Sequence, residues 1–104
     1  MSSGPDAATW FERELAAMAN AAGLVVSMTT VTSEPWLSAT FAGTRLALKV
    51  EARDTATFDR WLKGLPEAEF RPARYLVADL SVARRPPAEE AACADLAVLI
   101  VESC

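Results

Sequence analysis

The chain has 104 residues, 52% of them hydrophobic and none histidine. That length holds one domain over residues 1–104, and the apolar share is too high for a disordered chain. Ten basic against 14 acidic residues leave a net charge of −4, which argues against nucleic-acid binding, where phosphate neutralisation dominates affinity.

Residues 4–22 carry a helical pattern. Ser3 is placed as an N-cap, Pro5 fits the first turn, and Asp6 stands three residues after Ser3 as in a capping box. Phe11, Leu15, Met18 and Ala22 recur at helical spacing with Trp10 beside them, and Gly23 stands where a C′ stop belongs. Three strands are expected next. Leu24–Val31 is β-branched, Thr32-Ser33-Glu34-Pro35 reads as a turn, Trp36–Phe41 is the second strand, and Ala42-Gly43 forms a tight hairpin in which glycine supplies positive φ. The third is Thr44–Ala52, where Leu46, Leu48 and Val50 alternate with Arg45, Lys49 and Glu51. This register pairs Leu37 with Leu48, Ala39 with Met28 and Leu46, and Phe41 with Val26, so that seven apolar residues share one face. Ser27, Thr29, Ser38, Thr40, Arg45, Ala47 and Lys49 take the other, with Val31 and Trp36 at one corner.

Asp54 is expected to cap a second helix at 55–63, with Phe58, Trp61 and Leu62 as its apolar stripe and Gly64-Leu65-Pro66 ending it. Asp59 and Lys63 form an i,i+4 pair. Residues 66–73 are a connector. Arg74–Ala83 reads as a fourth strand with Leu76, Ala78, Leu80 and Val82 on the core side and Tyr75, Val77, Asp79 and Ser81 opposite. After the Arg84-Arg85-Pro86-Pro87 break, Ala88–Ala94 forms a short helical turn. Asp95–Glu102 is a last strand whose Leu96–Val101 run is apolar on both faces, hence covered or interfacial. The order α-β-β-β-α-β-(short α)-β predicts an α+β two-layer sandwich. Its sheet is mainly antiparallel and five-stranded, with helices on one face.

The chemistry is sparse. The absence of histidine excludes histidine triads, histidine general bases and histidine-ligated metals. No cofactor motif is present, and Glu67/Glu69 and Glu89-Glu90 read as solvated loop acids rather than paired catalytic carboxylates. Arg71, Arg74, Arg84 and Arg85 lack the aromatic interleaving or glycine-rich loop of a phosphate or nucleic-acid site. The charge is uneven: residues 42–85 carry nine basic and six acidic residues, while the flanks carry one and four, then none and four.

Cys93 and Cys104 are separated by a strand roughly 25 Å long and are not expected to bridge. Neither has an activating base. No apolar stretch is long enough for a membrane span, and Met1–Asp6 lacks the features of a signal peptide. Free thiols and this N-terminus predict a reducing cytoplasm, and the abundance of Ala with eight Arg against two Lys fits a G+C-rich bacterial source.

Two functional expectations follow. The first is a non-enzymatic interaction or oligomerisation module: a homodimer, or a complex with another protein, formed through the face of Val31, Trp36 and Lys49, or a homodimer through an open edge strand. Lys49 is expected opposite Trp36, where it would cover the ring by cation–π contact. The alternative is a small polar-ligand-binding domain or enzyme subunit with a pocket near Asp79 and Arg45.

Overall fold

A computed structural model describes residues 6–53, 56–70, 74–85 and 91–102. Its elements are α1 (Ala7–Ala21), β1 (Ser27–Leu37), β2 (Ala42–Arg53), α2 (Ala56–Gly64), a 3₁₀ turn at Leu65–Glu67, β3 (Tyr75–Arg84) and β4 (Ala91–Glu102). The four strands make one antiparallel sheet in the order β1-β2-β4-β3. The class is the expected α+β, but the sheet has four strands, not five. The expected caps at Ser3 and Asp54, the residues Ala88–Glu90, Arg71 and Cys104 lie outside the described residues.

The start and stop of α1 are both set by local chemistry. Asp6 is the N-cap, accepting a hydrogen bond from the Thr9 backbone N–H at 2.8 Å. At the other end Gly23 has φ +77°. Its N–H donates to the Asn20 carbonyl at 3.0 Å, and that of Leu24 donates to the Ala19 carbonyl at 2.9 Å. This paired closure satisfies two carbonyls the helix leaves open. Glycine takes the left-handed conformation without steric cost.

The five-strand expectation fails at the first hairpin. The chain does not turn at 32–35; it runs straight through Pro35, which edge strands tolerate because no partner needs its missing N–H. The turn lies at 38–41 instead. The Ser38 N–H donates to the Phe41 carbonyl at 2.8 Å, and Ser38 Oγ accepts from the Thr40 and Phe41 backbone N–H groups at 3.3 and 3.0 Å. Leu37 therefore pairs with Ala42, not Leu48. Gly43 lies inside β2, where its role is close approach: a Cβ there would sit 2.2 Å from the Ile100 carbonyl oxygen.

Each edge strand carries a bulge. Val31 is left out of the β1–β2 pairing, between Thr30 and Thr32. Ala78 is left out of the β3–β4 pairing, between Val77 and Asp79. An extra residue switches which parity faces the core. Hence Tyr75 is buried and Val77 packs against the core, whereas Leu76 is exposed, the reverse of the expected alternation; Leu80 and Val82 keep their expected side.

The core lies between the helices and one sheet face. Phe11 and Leu15 of α1, Phe58 and Leu62 of α2, and Leu65 meet Leu46, Leu48 and Val50 of β2 and Leu96, Val98 and Ile100 of β4. Trp10 stacks tilted on Tyr75 with centroids 5.6 Å apart, which places the start of α1 over the start of β3. Ala91–Ala94 are strand, not helix: Ala92 and Ala94 continue the buried alternation of β4, and pairing with β2 outweighs their helix propensity.

Asp6 gives a pH-dependent contribution. Its hydrogen bonds with Thr9, first to the backbone N–H and then to the side chain, hold its carboxyl below the ordinary value. The associated stability is present above the usual carboxylate range and is lost as pH falls through the depressed value. We expect Asp6→Ala to cost about 1 kcal/mol at neutral pH. Asp6→Asn should keep the cap and lose this acid dependence, read from urea midpoints at neutral and acidic pH. Gly43→Ala should cost about 1–3 kcal/mol, the range for overpacking against an immovable neighbour.

Candidate interaction surface

Both helices pack on one side of the sheet, so the opposite face is open among the described residues. Cross-strand partners lie on the same face, and the register arranges this face in rows across β1, β2, β4 and β3. The first row is Trp36, Gly43, Val101 and Leu76. Next come Glu34, Arg45, Leu99 and Asp79, followed by Thr32, Ala47, Ala97 and Ser81, then Thr29, Lys49, Asp95 and Ala83. Ser27, Glu51 and Cys93 form the last. One end of the face is thus apolar, the middle small and the far end charged.

Leu76 of that apolar row is 45% exposed; Phe41 in the hairpin turn is 53% exposed, Leu37, paired with Ala42, is 77% exposed on the other side of the sheet, and Val31 at the bulge is 63% exposed. Scattered single apolar residues need no explanation, but the cross-strand row of Trp36, Val101 and Leu76 is contiguous, and such a group marks an interaction surface. Trp36, Val101 and Leu99 are half-buried on the same end of the sheet. Trp36 stands across from Gly43, which offers it no side chain.

Lys49 is not beside Trp36. It is six residues along β2 from Gly43, roughly 20 Å away, and pairs with Glu51 at 3.4 Å. The expected cation–π cover of Trp36 is therefore absent; the hairpin turn at 38–41 rather than 42–43 moves the tryptophan to the far end of β2. The charged end is balanced by a second link, in which Arg85 Nε donates to Asp95 at 2.6 Å. That bond, with the nearby carboxylate charge, holds Arg85 further into its charged form.

Arg45 and Asp79 do share the open face, as expected, and flank Leu99. They stand two strands apart, about 9.5 Å between backbones. No described acid lies within ion-pair distance of Arg45, and no described base within that distance of Asp79. Asp79 also rims a cleft of about 460 Å³ between β3 and the 65–70 segment, lined by Trp10, Leu65, Phe70 and Tyr75 with Glu69 at its mouth. Arg45 is not part of that lining, because β4 lies between.

Elsewhere the charges have structural tasks. Asp59 pairs with Lys63 at 3.5 Å, as the i,i+4 spacing predicts, and with Arg84 of β3, tying α2 to the sheet. Thr30 Oγ1 donates to the Glu12 carboxylate, tying α1 to β1. No described polar or charged residue is buried. No described set of three His, Cys, Asp or Glu is grouped as a metal site would be, and no described helix is long and apolar enough to cross a membrane.

Leu76 is the surface residue that alternation assigns to the core, whereas Leu99 and Val101 belong to the run expected to be covered or interfacial. Leu76 is displaced by the Ala78 bulge. A signal was available: Asp79 directly precedes Leu80, so extending the Leu80/Val82 phase back through Ala78 leaves the aromatic Tyr75 in water. A comparison with protein-family models finds no match, and neither does one with curated proteins.

Arg45→Ala and Asp79→Ala should each change the stability of the isolated chain by less than about 0.5 kcal/mol, as exposed residues without a partner do. Chemical denaturation checks this.

Proposed function

We propose that the chain is a non-enzymatic interaction module of the bacterial cytoplasm that self-associates through the open face of its sheet. The observation that carries this is the apolar row of Trp36, Val101 and Leu76, with Leu99 behind it. A one-sided antiparallel sheet is stable with a polar face in water; this face instead ends in large apolar side chains. Symmetric dimers are the commonest oligomers, and large aromatic residues are enriched in interfaces. A second reading, a small polar ligand near Asp79, is supported by the cleft with Glu69 and Asp79 at its rim. The two carboxylates would favour a cationic group.

Light scattering coupled to size exclusion is expected to show a dimer at tens of micromolar (a monomer throughout that range overturns the proposal). Trp36→Glu should weaken association by about 1 kcal/mol or more, as loss of a large aromatic interface contact and burial of a charge do, with an unchanged far-ultraviolet circular dichroism spectrum.

A further inference from the structure

We infer that two copies meet open face to open face about a two-fold axis parallel to the strands and lying between β2 and β4. The inference rests on the self-association proposed above and specifies its geometry.

A two-fold relating two stacked sheets lies in the plane between them. If it runs along the strands, each row stays opposite its own row, β1 lies over the partner's β3, and β2 over the partner's β4. Trp36 then meets the partner's Leu76, and Gly43 the partner's Val101. The small middle row meets itself, Ala47 on the partner's Ala97, so the sheets approach closely there. Lys49 faces the partner's Asp95.

The second row supplies a contact that exists only between chains. Arg45 lies over the partner's Leu99, one strand inward from where Glu34 and the partner's Asp79 coincide. A single guanidinium there offsets one of the two carboxylate charges and has the donors to bind both. Arg45 and Asp79, kept apart by β4 within one chain, become neighbours between chains.

The other aligned choice, an axis across the strands, reverses the rows. It sets Arg45 against the partner's Lys49 and Leu99 against the partner's Asp95. The apolar row would be buried on Ser27, Glu51 and Cys93, and the contact of Lys49 with the partner's Asp95 would be lost.

The area suffices. Four strands ~4.8 Å apart and about ten residues long at ~3.3 Å each project on the order of 600 Å² per copy. Two copies bury about 1,200 Å², above the roughly 1,000 Å² that a specific interface requires. Aligned sheets cross at about 30°, which keeps the central strands in register.

The test is a charge exchange between residues that do not meet within one chain. Sedimentation equilibrium gives the dimer Kd of the wild type, Arg45→Asp and the double variant Arg45→Asp/Asp79→Arg, with circular dichroism confirming the fold of each. Arg45→Asp gathers three carboxylates and is expected to raise Kd at least about tenfold, and the double variant, which returns a guanidinium to the cluster from the other chain, to recover most of that loss. A dimer whose Kd Arg45→Asp leaves unaltered, or one that the double change fails to rescue, overturns this arrangement and leaves self-association standing. A wild type that stays monomeric overturns both.

Discussion

The structure depends on the burial of one face of the two central strands. Alternate residues of β2 from Leu46 to Ala52 and of β4 from Ala92 to Ile100 are buried. They provide the surface on which Phe11, Leu15, Phe58 and Leu62 pack. Each fully buried Leu or Phe contributes roughly 1.5–3 kcal/mol, so no other grouping in the chain rivals this one. Everything else takes its place from that layer. The helices lie where they cover it, the edge strands lie where they extend it, and the reverse side is left open.

β4 owes its composition to this position. The chain leaves β2, crosses by α2 to the far edge as β3, and returns to fill the gap. A strand inserted between two others has neighbours on both sides, and its outward residues Leu99 and Val101 are half shielded by them. That accounts for the six-residue apolar run at Leu96–Val101. It also separates Arg45 from Asp79.

Local chemistry was the most legible part of the sequence. The Gly23 stop, the Asp59–Lys63 pair, the Phe58/Leu62 stripe and the alternation of Leu46, Leu48 and Val50 depend on a few adjacent residues. What failed was parity over distance. One bulge at Val31 and another at Ala78 each reverse the faces of everything beyond them, and only the second leaves a trace in the sequence, the Tyr75 that unbroken alternation would expose. Pro35 was misleading because proline in an edge strand and proline in a turn look alike before the sheet order is known. The open face was legible in outline: Arg45, Lys49 and Asp79 were placed on it from their alternation. The neighbours of Trp36 were not, because they depend on the position of a turn in one hairpin and of a bulge in the other.

The bulges and Pro35 have one more effect. Both outer strands of a four-stranded sheet present unpaired backbone groups, a template on which further chains could add without limit. Here Pro35 and the kink at Val31 interrupt one rim, and the kink at Ala78 interrupts the other. Regular strand addition is interrupted on both sides. The same irregularities that hide the face pattern from a simple reading of the sequence therefore also make the sheet a poor template for a fibre.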